Sequence, residues 1–160
     1  MTLMPNSIRS FSGNYAFLSN FWQDTYGISL EHKFQAAKTD DPIHVARIMV
    51  ASTPGEAKRL GRTVVLRSDW EQVKDMVMLT LLREKFANTS LTRSLRRRLI
   101  KTYPKELIEG NNWGDEYWGM VQNPVTQLWR GDNVLGELLM QVRREVRAED
   151  HLVELMSDDA

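Results

Sequence analysis

Glu31, Gln35 and Lys38 stand at i, i+4 and i+7, the spacing that puts three side chains on one face of a helix. Leu30, Phe34 and Ala37 repeat that spacing one position earlier, on an apolar face turned by roughly 100°. With the apolar face in the core, a carboxylate, an amide and an amine line its edge, where partial desolvation shifts pKa values. Glu31 also falls in the first turn, where the helix dipole favours a charged carboxylate. An amphipathic helix with a solvated charge pair has the same pattern, and the spacing alone does not separate the two.

A second candidate is the run Glu109 to Gly119, where Trp113, Tyr117 and Trp118 alternate with Asp115, Glu116 and glycines. Such a loop sets an aromatic plate beside a carboxylate, which suits stacking on a base while polarising a sugar. The alternative is that the rings plug the core and Asp115 caps a turn. A third candidate is Arg130 to Gly136, with glycines and a capping Asn133 at a helix start, where exposed amides make an anion site for phosphate. Arg62, following Gly61, is either a second phosphate contact or a surface charge. His32, His44 and His151 lack metal-ligand spacing, so no metal site is expected. Arg93, Arg96, Arg97, Arg98 and Lys101 suit either nucleic-acid phosphates or the wet side of a helix. No P-loop, dinucleotide fingerprint or nucleophile elbow occurs.

The elements that must position these residues are mostly helices. Ser29 caps a helix predicted from about Leu30 to Lys38, Asp41-Pro42 opens a second, and Thr53 to Glu56 opens a third that closes near Gly61. A capping-box pattern at Ser68 to Glu71 opens a longer helix to about Phe86, with Val73, Val77 and Leu81 as the inner stripe and Met78 and Leu82 widening it. Leu91 to about Tyr103 reads as helix, as does the segment after Asn133, where Leu135, Leu138, Leu139, Val142 and Val146 recur at helical spacing. The first 28 residues, rich in aromatics, Asn, Ser and Gly, suit short strands and tight turns. The stretch between Ile108 and Asp132 has no clear period. The expected fold is a predominantly helical α+β domain with a small β element near the N-terminus. It spans residues 1–147, with an acidic, frayed tail over 148–160.

At 160 residues, with 42% apolar and 26% charged side chains, the chain has the size and balance of one globular domain. The absence of cysteine excludes disulfides, thiolate metal sites and a cysteine nucleophile. Lys plus Arg equals Asp plus Glu, at 21 each, so no net field draws the protein to nucleic acid or membrane. No apolar run approaches the roughly 20 residues of a membrane span, and the start does not read as a signal peptide. A cytoplasmic location is expected.

Five segments taken together resemble the NADAR superfamily, which includes the YbiA-type N-glycosidases. Phe17-Leu18-Ser19-Asn20-Phe21 resembles its LSNF block, and Ser29 to Lys38 resembles its S-x-E-H-x-F-Q-A-x-K helix at every fixed position. Leu60-Gly61-Arg62, Asp69-Trp70, Val73-Lys74, Val77-Met78 and Lys85-Phe86 resemble the middle block. Leu107-Ile108-Glu109, Asp115 and Trp118-Gly119 resemble the L-x-E and D-x-x-W-G elements, and Asn133 to Arg143 resembles the closing N-x-L-G-x-x-L-M block. The likeness runs from about Phe11 to Arg147, in order. One departure is that Met120 to Arg130 has no glycine and Asp132 stands where the family often has lysine, adding a negative charge beside the expected phosphate site.

The resemblance implies an N-glycosidase that cleaves between a nitrogen base or amine and a phosphorylated ribose, without cofactor or metal. Glu31, Lys38 and Asp115 are its implied catalytic residues: a carboxylate steadies the electron-poor anomeric carbon, and the lysine can capture an opened ribosylamine as a Schiff base. Asn20, Phe21, Gln35, Arg62, Trp70, Trp118 and Asn133 are its implied substrate contacts, with Trp70 and Trp118 as stacking surface. The expected substrate is a ribosylaminopyrimidine phosphate of riboflavin synthesis. The alternatives are ADP-ribose attached to guanine in nucleic acid, or a module that binds ADP-ribose-like ligands without turnover.

Overall fold

The structure, a computed structural model, describes residues 1–158. Its helices start where short polar side chains supply caps. Ser29 precedes α1 (Leu30–Ala36): its hydroxyl accepts from His32 N, and Nδ1 of His32 accepts from Ser29 N in return. Nε2 of the same fully buried ring donates to Ala51 O at 3.0 Å, tying α1 to the chain beyond the next helix. Asp41 caps α2 (Pro42–Met49) and Thr53 caps α3 (Pro54–Gly61), each through a side-chain oxygen and each with proline in the first turn. α4 (Trp70–Lys85) starts differently. Its N-cap is Asp69, whose two oxygens are held by Arg67 at 2.6 and 2.9 Å and cap no helix amide, and the box expected over Ser68 to Glu71 does not form. α5 (Arg93–Lys101) and α6 (Val134–Asp158) follow.

The main core lies among α1, α4, α5 and α6, with Phe34, Met78, Leu82, Leu99, Leu135, Leu139 and Val142 at its centre. Each such side chain contributes roughly 1.5–3 kcal/mol on burial. The inner stripe of α4 is turned from the expected one: Met78, Leu79 and Leu82 are buried, while Val73, Val77 and Leu81 pack at the margin. Ala36, Ile48 and Ala57 form a smaller cluster whose alanines let α1, α2 and α3 approach closely.

The fold class is the expected α+β, largely helical. The β element, however, is not near the N-terminus. It is a three-stranded sheet, β1 (Gly110–Asn111) parallel to β2 (Met120–Gln122) and β2 antiparallel to β3 (Trp129–Arg130), inside the stretch that showed no period. Strands of two or three residues are too short for alternation to register. The aromatic N-terminal segment forms a 3-10 helix over Gly13–Leu18, and it pairs through isolated bridges of Ile8 with Leu107 and Gln23 with Ser29 and reciprocal hydrogen bonds of Met1 with Trp129.

Over 148–158 the acidic tail differs from the frayed segment expected, since α6 continues unbroken to Asp158; residues 159 and 160 of that tail lie outside the described residues. Arg96, 4% exposed, explains part of this: its guanidinium donates to Glu149, to Asp150 and to Val146 O. Among the described residues, no helix is long and apolar enough to cross a membrane.

Candidate active site

α1 ends at Ala36, so Lys38 sits on the turn after it, with its carbonyl accepting from Arg67 N at 2.8 Å. Glu31 and Lys38 nevertheless face one cleft of about 860 Å³, walled by α1, α3, the Asn20 segment and the loop from Glu109 to Trp118. That volume is in the range of small-molecule sites. Asp115 lines the same cleft, so the three expected catalytic residues share one space. Asn20, Phe21, Gln35, Arg62 and Trp118 line it as well.

Two expected contacts do not. Trp70 is buried at the start of α4, its ring 5.1 Å from that of Phe34, so it supports the cleft's floor rather than offering a stacking face. Asn133 is buried with a left-handed backbone (φ 52°), which asparagine tolerates better than most residues. Its side chain donates to Leu107 O and accepts from Glu109 N, locking the loop to α6. The phosphate site expected at this helix start is absent too. The amides of Asp132, Asn133, Val134 and Leu135 all donate to carbonyls of Glu116 to Gly119, leaving none of the four for an anion.

The local geometry of each remaining group follows from its element. Glu31 is 6% exposed, and its Oε1 accepts from Nε2 of Gln35 at 2.6 Å, one helical turn on. Burial raises the Glu31 pKa above the usual carboxylate value, against the hydrogen bond from Gln35 and the charges of Lys58 and Lys38. Gln35 is seated by Gly61 of α3, where a Cβ would stand 2.0 Å from Gln35 Oε1. Burial lowers the Lys38 pKa, opposed by Glu31 and assisted by Lys58 and Arg62. Oδ1 of Asp115 accepts from Tyr117 N and Trp118 N at 3.1 and 2.9 Å, a turn that aims the carboxyl and fixes Trp118. The Trp118 ring meets Phe34 edge-on at 5.4 Å.

Sequence reasoning missed two site residues. Lys58 lines the cleft, its ammonium 5.7 Å from the centre of the Phe21 ring. Gly55, Lys58 and Arg62, spaced by three and four along α3, were a readable signal for one face. Glu109 lines the cleft too, and burial together with the Asp115 charge pushes it up to about 7, against the pull of Lys58 and Lys85. Nothing in the sequence pattern showed its carboxyl turned inward.

Three buried oxygens of the cleft have no protein partner: Asn20 Oδ1, Gln35 Oε1 and Glu109 Oε2. Each such buried, unsatisfied polar atom costs about 1–3 kcal/mol. Among the described residues no cluster of His, Asp and Glu is arranged to hold a metal.

Three carboxyl groups, a partly desolvated amine and aromatic side chains around one cleft define an enzyme site for a polar substrate. The chain belongs to the NADAR domain family, which matches residues 9–147. N-glycosidase YbiA of Escherichia coli is 37% identical over 159 residues, covering 92% of this chain and 93% of that protein. An N-glycosidase of Nostoc punctiforme is 38% identical over 144 residues, covering 83% and 86%. The NMR structure of E. coli YbiA superimposes with a TM-score of 0.70 at 34% identity, covering 92% of this chain and 89% of that one. A riboflavin biosynthesis protein of Vibrio vulnificus is 32% identical over 142 residues, of which the chain spans 36% of the length. With these relatives, the chain is a hydrolase acting on N-glycosyl bonds.

Proposed function

We propose that the enzyme hydrolyses the bond between an amine nitrogen and C1′ of a phosphorylated ribose, with a ribosylaminopyrimidine phosphate as substrate. The observation that carries this is the lining of the cleft: Lys38, Lys58 and Arg62 bring cationic side chains to it, and Glu31, Glu109 and Asp115 bring carboxyl groups. A ribose phosphate fits with its phosphate on Lys58 and Arg62 and its anomeric carbon toward the acids. Trp118, with Trp113 at the rim, supplies flat surface for the pyrimidine. The relative that functions in riboflavin biosynthesis favours this substrate class.

As the C1′–N bond breaks, positive charge grows on C1′ and its ring oxygen. Asp115, held rigid by two backbone amides, faces that charge. Glu31, whose ionised form burial disfavours, orients the ribose hydroxyls together with Gln35. Lys38 has a second route open to it: burial favours its neutral amine, which can take C1′ of the opened sugar as an imine that water then cleaves.

A second reading is removal of ADP-ribose from guanine, which the cleft's volume and the exposed Trp113 ring would admit. The arginine cluster that favoured it in the sequence lies away from the cleft. Arg96 is buried in its ion pairs, and Arg98 donates to Asn14 O over the Phe17 ring. Mass spectrometry of the protein with a ribosylaminopyrimidine phosphate and, separately, with ADP-ribosylated guanine DNA distinguishes them. Free base and ribose phosphate from the first support the proposal. Release of ADP-ribose from the second alone replaces it, and binding of both without turnover leaves a binding module.

A further inference from the structure

We propose that Glu109 is the acid that protonates the leaving nitrogen. The inference rests on the N-ribosyl hydrolase reading above and completes it, since that reading already gives Asp115 to the cationic centre and Glu31 to the ribose hydroxyls. Oε1 of Glu31 is engaged by Gln35, and Oδ1 of Asp115 by two backbone amides. Glu109 is held differently. Its N–H donates to Asn133 Oδ1 at 3.0 Å and its carbonyl accepts from Met120 N at 2.9 Å, so the backbone is pinned on both sides. Gly119 packs directly against it, where a Cβ would stand 2.2 Å from Glu109 O and 3.1 Å from its Cγ. From this rigid mount the carboxyl reaches the cleft, and its buried Oε2 has no protein partner.

The charged groups around it match the role. Asp115 faces it from the same loop, Lys58 from α3 and Lys85 from α4. Burial and Asp115 hold the proton on Glu109 up to a pKa of about 7, where a general acid works near neutral pH. Lys85 donates from Nζ to Ser19 O at 2.8 Å; burial lowers its pKa to about 7, and a Glu109 carboxylate draws it back toward the charged form. The step balances. The C1′–N bond breaks with its electron pair on nitrogen, and the Glu109 proton goes to that nitrogen. Water then adds its oxygen to C1′, and the proton it releases restores Glu109.

The test is Glu109→Gln, which keeps size and neutral form but has no acidic proton to give. Two substrates are compared: a ribosylaminopyrimidine phosphate, whose leaving nitrogen needs a proton, and p-nitrophenyl riboside 5-phosphate, whose leaving group does not. The expected result is a fall in kcat of about a hundredfold or more on the first and less than tenfold on the second. The alkaline limb of the kcat–pH profile near pH 7 disappears with it. Equal losses on both substrates, or a variant that keeps the alkaline limb, would overturn the assignment. Wild-type enzyme inert toward the first substrate removes the ribosylaminopyrimidine reading and this proposal together, an outcome visible before any variant is made.

Discussion

Replacing Gly61 by alanine tests how the site is held. The added Cβ would stand 2.0 Å from Gln35 Oε1, 2.8 Å from its Cδ and 2.9 Å from its Cβ, all well inside the 3.4 Å where ordinary contact begins. Rotating the Gln35 side chain clears the first two clashes but not the third, so α1 and α3 must part. Overpacking of this kind costs about 1–3 kcal/mol. For a chain of this length each kcal/mol lowers Tm by roughly 2–4 °C, so a fall of about 2–12 °C is expected in a thermal melt. Activity should fall further than stability, because Gln35 holds Glu31 at 2.6 Å and a shift of roughly 1 Å at a reacting group costs on the order of 100-fold in rate. The double variant Gln35→Ala, Gly61→Ala separates the effects. It removes two of the three clashes and should recover at least about 1 kcal/mol relative to additivity, yet kcat/KM should stay low because Glu31 has lost its anchor. A Gly61→Ala protein with the wild-type Tm and rate would refute the wedge.

Three further outcomes follow. Glu109 has a folded pKa of about 7 against an ordinary 4.5, so the folded protein holds the proton more tightly and loses stability as pH rises through that window. The loss levels off above pH 7 at about 3 kcal/mol, so urea unfolding should favour Glu109→Gln over wild type by roughly that much more at pH 8 than at pH 5; an equal difference at both values counts against it. Deleting residues 148–160 removes the carboxylates of Glu149 and Asp150 from buried Arg96 and should destabilise the protein by about 3 kcal/mol, although the family match ends at 147. An unchanged denaturation midpoint would mean that water replaces those partners without loss. Borohydride added during turnover should trap a sugar adduct on Lys38 if the imine route operates; active enzyme that yields none leaves Lys38 an electrostatic role only.

Much of the site was legible in the sequence because its residues sit on a regular element. A 3.6-residue period carries Glu31 and Gln35 to one face wherever the helix goes, and caps at Ser29, Asp41 and Thr53 mark helix starts through purely local hydrogen bonds. Only the tertiary structure decided which polar groups meet. Trp70 and Asn133 looked like ligand contacts by type, yet the first is core and the second a strut, because packing from α1 and the 107–109 segment reached them first. Within the arginine run, Arg96 is taken up by Glu149 and Asp150, which lie some 50 residues away in sequence and reach it only through helix packing, while Arg93, Arg97, Arg98 and Lys101 stay exposed. Glu109 shows the same division most sharply. Its position in the chain is plain and Asp115 is on the same loop, but the burial that holds its proton and the Lys58 and Lys85 charges around it come from distant segments, and local spacing encodes neither.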